Sequence, residues 1–174
     1  MRIIRLEIQG FKSFARPETF EFLGEGFTAI VGPNGCGKSN VIDAIRWVLG
    51  ERSRKGLRMK DSTDVIFGGT TSRSAAKHST VTITFDNADG QIESLGNEFT
   101  ITRRLSSSGD STYRINDEDC KLRDIQDLLK GTGIGPEGYS IMSQGKIDAL
   151  LVSNPAERRK VFEEAAGIST YRAQ

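Results

Sequence analysis

The chain has 174 residues, a net charge of +1, 27% charged residues and 36% hydrophobic ones, a composition that suits one globular domain or one lobe of a larger one. Two cysteines rule out a disulfide framework and read as thiols of a reducing compartment. A balance this close to neutrality excludes bulk attraction to nucleic acid or acidic lipid; no apolar run reaches membrane-spanning length, and MRIIRLEIQG is too charged to be a signal peptide, so a cytoplasmic location is expected.

In chain order, Ile4, Leu6 and Ile8 alternate with Arg5 and Glu7, which predicts a half-buried strand. Thr19 to Phe22 alternates in the same way, with Phe20 and Phe22 on one face. Phe27-Thr28-Ala29-Ile30-Val31 is a short apolar run, expected to be a buried strand leading into Gly32. From Ser39 onward, Val41, Ile42, Ala44, Ile45, Val48 and Leu49 recur at helical spacing, and Gly50 is the expected stop. Residues 50–80 hold little periodicity. Val81, Ile83 and Phe85, then Phe99, Ile101 and Arg103, then Tyr113 to Ile115 predict an antiparallel meander, with Ser106 to Asp110 as a turn. Leu122, Ile125, Leu128 and Leu129 mark an amphipathic helix ending at Gly131. A glycine-rich loop, a short strand from Tyr139 to Met142, and a helix opened by Asn154-Pro155-Ala156-Glu157 and stopped by Gly167 complete the reading.

The charge is unevenly spread. Residues 46–77 hold eight basic and three acidic side chains. Two readings stay open for this segment: a solvated loop, or a surface facing an anion.

Gly32-Pro33-Asn34-Gly35-Cys36-Gly37-Lys38-Ser39 fits G-x-x-x-x-G-K-[ST] at every position. The glycines let the backbone curl so that several N–H groups converge on one phosphate cluster. The helix that follows presents its positive end to the same anion. Lys38 is placed to reach the β- and γ-phosphates, and the Ser39 hydroxyl to ligate Mg²⁺. A nucleoside triphosphate with Mg²⁺ is therefore the expected ligand, and Cys36 is read as a small filler of the loop.

The opening GFKSF (Gly10 to Phe14), the loop GPNGCGKSN (Gly32 to Asn40), the helix end WVLGE (Trp47 to Glu51), GYSIMSQGKID (Gly138 to Asp148) and NPAERRKVFEEAAGIS (Asn154 to Ser169) together resemble the N-terminal ATPase lobe of the SMC chromosome-organising proteins, especially the bacterial type. The resemblance runs in order through nearly the whole chain. It implies an α/β fold, a P-loop NTPase of ABC type, whose N-terminal lobe carries an antiparallel β subdomain and flanking helices. Residues 1–170 would form that lobe, and residues 171–174 would begin an outgoing coiled-coil helix.

By the same resemblance, Gln144 matches the Q-loop glutamine that touches Mg²⁺, and Arg58 the R-loop arginine that approaches the phosphates; the guanidinium fork suits phosphate oxygens. Lys12, Ser13 and Asn40 match positions close to the nucleotide, whereas Phe11 and Phe14 are expected in the core. The stretch Met59 to Thr63 departs from the glycine-containing loop of many relatives but keeps the spacing from Arg58 to Asp64.

No Walker B segment with its catalytic glutamate is found in the sequence, nor an LSGG-type signature; Leu105-Ser106-Ser107-Ser108-Gly109 is expected to be a hairpin turn. In the family these parts come from the C-terminal end of a long chain. The resemblance thus implies an excised lobe that is inactive alone and an ATPase when joined by its C-terminal lobe and a second, identical head. A kleisin-type subunit and DNA are the further partners, with no membrane, in a nucleoid-associated cytoplasmic setting. The competing expectations are the head of a related coiled-coil DNA-repair ATPase, a self-contained P-loop kinase or GTPase, and a DNA-binding module using residues 46–77.

Overall fold

The computed structural model describes residues 1–22, 24, 26–130, 132, 134 and 159. Among the described residues six strands form one antiparallel sheet: β1 (Arg2–Gln9), β2 (Glu18–Glu21), β3 (His78–Asp86), β4 (Glu98–Ser106), β5 (Ser111–Ile115) and β6 (Glu118–Cys120), in the order β2-β1-β3-β4-β5-β6. Two helices of defined bounds accompany it among the described residues, α1 (Lys38–Val48) and α2 (Leu122–Leu129), with a 3-10 turn at Ser62–Val65.

The alternation read from the sequence becomes rows of apolar side chains across the sheet. Leu6 stands opposite Ile83, Ile83 opposite Ile101, and Ile101 opposite Ile115. Phe85 faces Phe99 with ring centroids 5.1 Å apart. Because successive strand residues point to opposite faces, these rows lie on one side, and α1 packs there with Val41, Ala44, Trp47 and Val48 buried. Ile42 turns outward and is 39% exposed. Gly50, at φ 104, ends the helical segment as expected. Phe11 is fully buried against Trp47, and Phe14 packs edge-on to Phe20, so both belong to the core. Ser106 to Asp110 closes a hairpin between β4 and β5.

One expected strand is absent. Phe27 to Val31 forms no ladder; Phe27 is fully exposed and Val31 is 87% exposed. A strand buried on both faces needs hydrogen-bonded neighbours, and none lies beside this segment among the described residues. β6 was not expected: Glu118-Asp119-Cys120 carries no apolar alternation, and only its pairing with β5 makes it a strand. The expected strand at Tyr139–Met142 and helix from Asn154 lie outside the described residues.

Arg103 occupies an inward position of β4 between Ile101 and Leu105, and it is 9% exposed. Its guanidinium donates to the carbonyls of Trp47 (2.9 Å) and Glu51 (3.2 Å) at the C-terminal end of α1. It lies between two rings, 4.4 Å from the centroid of Trp47 and 5.0 Å from that of Tyr113. Burial pulls its pKa below the ordinary arginine value. The charge is tolerated because helix-end carbonyls and aromatic faces both favour a cation.

Arg103→Ala is expected to cost about 3 kcal/mol of stability, since it strips carbonyls and rings of a buried charged donor. Arg103→Lys should recover only part, lacking the planar fork. Urea unfolding followed by fluorescence of Trp47, the single tryptophan, measures both; a loss under about 0.5 kcal/mol for the alanine variant would rank Arg103 with ordinary surface residues.

Candidate phosphate-binding site

The loop from Gly32 to Ser39 enters α1 through Gly37, which sits at φ 95 in the left-handed region. A β-carbon there would meet the Ser13 hydroxyl at 2.7 Å, so both backbone and space require glycine. Gly35, at φ 82, makes the other left-handed bend of the loop. No side chain caps the start of α1, and its first turn holds no acidic residue. The Asn40 N–H donates back to the Gly37 carbonyl (2.8 Å). The other donors of the first turn have no intrahelical acceptor and add to the positive end of the helix. Lys38 folds over the loop, donating from Nζ to the carbonyls of Gly32 (2.7 Å) and Pro33 (2.6 Å), with the Cys36 Sγ 3.9 Å away. The ammonium thus holds the curl from inside. Ser39 is exposed.

A second layer of polar side chains surrounds this helix start. β1 ends at Gln9, and the chain turns so that the Lys12 N–H bonds the Val65 carbonyl (2.6 Å). Ser13 comes beneath Gly37, where its Oγ accepts from the Asn40 amide (2.9 Å). The Asn40 Oδ1 lies 3.4 Å from an Arg58 guanidinium nitrogen. That same nitrogen donates to Asp43 (2.5 Å). Lys12 Nζ donates to Asp43 as well, and to the Leu57 carbonyl (2.5 Å). A cleft of about 630 Å³ opens here, with Lys12, Asn40, Arg58 and Asp64 in its wall.

Sequence reasoning singled out Lys12, Ser13, Asn40, Arg58 and the whole P-loop, and the fold brings them together. It missed Asp43, the buried carboxylate on which two of those cations converge. The available signal was one acidic residue inside the apolar stripe Val41, Ile42, Ala44, Ile45. Gln144 lies outside the described residues. Among the described residues, no three His, Cys, Asp or Glu side chains are grouped to hold a metal ion. A hydroxyl at the second helical residue, beside convergent N–H donors and an ammonium, instead suits a cation that arrives with a phosphate, since Mg²⁺ takes few protein ligands in such sites.

A glycine-rich loop opening a helix that rests on an antiparallel sheet is the architecture of the N-terminal lobe of an ABC-type ATPase head. Residues 2–152 match the RecF/RecN/SMC N terminal domain, and the chain belongs to that family. It is 49% identical to the chromosome partition protein Smc of Rhodopirellula baltica, over 97% of this chain and 14% of that relative. The Smc head domain of Pyrococcus furiosus, solved with an extended coiled coil and bound to the C-terminal domain of ScpA, superposes with a TM-score of 0.87 at 39% identity, over 98% of this chain and 43% of that one. A chain solved in work on ATP-driven dimerization and DNA-stimulated activation of SMC ATPases superposes with a TM-score of 0.84 at 37% identity, over 95% of this chain and 99% of that one. The chain therefore spans about one-seventh of the length of its curated relatives.

Asp64, in the cleft wall, accepts from the backbone N–H groups of Lys60 (2.8 Å) and Asp61 (2.9 Å). These amides hold its carboxyl below the ordinary value of 3.8. A carboxylate lowered by folding stabilises the folded loop above its unfolded pKa, and the contribution disappears as pH falls through the folded one. NMR titration should place the Asp64 midpoint below 3.8, with the amide protons of Lys60 and Asp61 moving in the same step. A midpoint at or above that value would contradict the two bonds.

Proposed function

We propose that this chain is the ATP- and Mg²⁺-binding half of an SMC head. Residues 1–170 form the lobe and residues 171–174 begin the outgoing coiled coil. The observation that carries this reading is the uncapped start of α1 behind a complete P-loop, with Lys38 folded across it and Arg58 and Lys12 beside it. Lys38 meets the β- and γ-phosphates. Ser39, with Gln144, ligates Mg²⁺. The N–H groups of Gly35 to Ser39 surround the phosphates, and Lys12, Ser13, Asn40 and Arg58 complete the wall. When bound, Mg²⁺ offsets the charge of the transferring phosphoryl group.

The exposed Phe27, Ile30, Val31 and Ile42 form the face for the C-terminal lobe of the same polypeptide, which contributes the Walker B carboxylates. Phe27 to Val31 becomes a strand when that lobe supplies its neighbours. A second, identical head contributes the signature motif, and a kleisin-type subunit joins the pair. ATP hydrolysis separates the heads and drives chromosome organisation and segregation at the nucleoid. Among the described residues no helix is long and apolar enough to cross a membrane. In residues 46–77, Arg46 is paired with Glu51 and Arg58 with Asp43. Arg52, Arg54 and Lys55 are exposed and meet DNA in the engaged head.

Lys38→Ala should weaken ATP binding at least about tenfold while leaving Trp47 fluorescence unchanged. Losing one charged phosphate contact costs about 1.5–3 kcal/mol, and calorimetry reads it directly. Steady-state phosphate release from residues 1–174 should not exceed that of the Lys38→Ala protein, because the group that orients the attacking water is missing. Adding the C-terminal lobe should restore turnover. Robust release by the chain alone that Lys38→Ala removes would replace the split-head reading with a self-contained P-loop enzyme.

Charge reversal at Arg52, Arg54 and Lys55 should lower the DNA affinity of the engaged, ATP-bound head. It should also flatten the dependence of affinity on salt, since each neutralised DNA phosphate releases counterion. An unchanged affinity and salt slope would return these residues to a solvated loop.

A further inference from the structure

Asp43 lies on α1, one turn beyond Ser39, with a side chain only 6% exposed. A buried carboxylate needs compensation, and this one has two cations. Lys12 and Arg58 both donate to the same oxygen, Oδ2. The two partners are held very differently. Lys12 is 12% exposed and has a second acceptor in the Leu57 carbonyl. Arg58 is 53% exposed, and among the described residues its guanidinium has, beyond Asp43, only the long contact to Asn40. One carboxylate shared by two cations leaves this trio one positive charge in excess, offset by Asp64 across the same cleft wall, three residues along α1 from the Asn40 amide that bonds Ser13 beneath the P-loop.

The backbone carries a matching signal. Lys12 (φ 46) and Arg58 (φ 55) both occupy the left-handed region, which side-chain-bearing residues avoid. Both are thus bent out of the comfortable range at the places that bring their side chains to Asp43. Strain retained at a ligand-facing cluster points from geometry to function.

We propose that Asp43 is the positioning residue for Arg58. It is an internal anion that holds the guanidinium beside the P-loop while no phosphate is present and gives it up to the phosphates when triphosphate binds. This rests on the nucleotide-binding reading above. Lys12 stays on Asp43 throughout, so the exchange never leaves the buried carboxylate unpaired. Phosphate oxygens and a carboxylate oxygen offer the guanidinium the same kind of charged acceptor, and binding is a competition between them. Removing the charge of Asp43 therefore strengthens phosphate binding, the opposite of what loss of a structural ion pair would do.

The test is a double-mutant cycle read by ATP calorimetry on the 174-residue chain: parent, Asp43→Asn, Arg58→Ala and the double variant. Asparagine keeps the size of the side chain and an oxygen for Lys12. Asp43→Asn is expected to tighten ATP binding about fivefold in the parent, the scale of a partly exposed ion pair, and by less than about twofold once Arg58 is alanine. Weaker or unchanged binding in the Asp43→Asn variant, or an equal gain in both backgrounds, overturns the proposal. Lys38→Ala in parallel separates the two levels. Affinity unchanged by Lys38→Ala sinks the P-loop reading, whereas affinity weakened there with Asp43→Asn silent sinks only the role of Asp43. Should Asp43→Asn fail to fold by urea denaturation, the parent chain decides by NMR. The Arg58 guanidinium signal moves on titration with ATP, while the Lys12 ammonium stays protected from solvent exchange because it keeps its bond to Asp43; no Arg58 shift, or loss of the Lys12 protection, overturns the exchange.

Discussion

The site depends on how firmly α1 is fixed to the sheet. Apolar burial presses Val41, Ala44, Trp47 and Val48 onto β3 and β4, but that force is non-directional and would allow the helix to slide or rotate. Polar contacts remove this freedom at three heights. Arg103 grips the C-terminal carbonyls and the Trp47 ring. Asp43 is held at mid-helix by Lys12 and Arg58. At the start of the helix, Gly37 and Asn40 close on Ser13. The P-loop is aimed by its helix, so a buried cation on β4 bears on the phosphate-binding end without touching it.

The same three contacts explain what was legible in the sequence. Strands β1, β3 and β4 announced themselves because one face of each is buried, and burial writes a period of two into the residues. The P-loop was legible because backbone geometry and phosphate chemistry restrict the residue types at fixed spacing. Arg103 kept the inward phase of Phe99 and Ile101 and so was placed correctly, but its partners lie more than fifty residues away and no local pattern names them. Asp43 was hidden for a related reason. Inside an apolar stripe it looked like one more helical position, and only the turns at Lys12 and Arg58 show that two cations meet it.

The run Phe27 to Val31 failed in the opposite way. Its composition is that of a central strand, yet strand structure belongs to the pair and not to the segment. With no neighbour among the described residues it leaves Phe27 and Val31 in solvent. β6 is the mirror case, three polar-leaning residues made into a strand by a partner. Resemblance to a family placed Arg58 and Lys12 in one site where residue chemistry alone treats each as one more surface cation. The geometry of their meeting on Asp43 came from the fold.

The left-handed residues Lys12 and Arg58 also set backbone strain against charge. Glycine at position 12 or 58 would relieve backbone strain of about 1–2 kcal/mol, but at position 12 it would also take the buried partner from Asp43, a loss of about 3–5 kcal/mol, so only at the more exposed Arg58 does the relief compete with the lost pairing. A search for a hardier variant guided by thermal denaturation alone would drift toward glycine at position 58, where Lys12 still keeps Asp43 paired, and would cost the cleft its exposed guanidinium, so a screen on this scaffold has to score ligand binding alongside melting temperature.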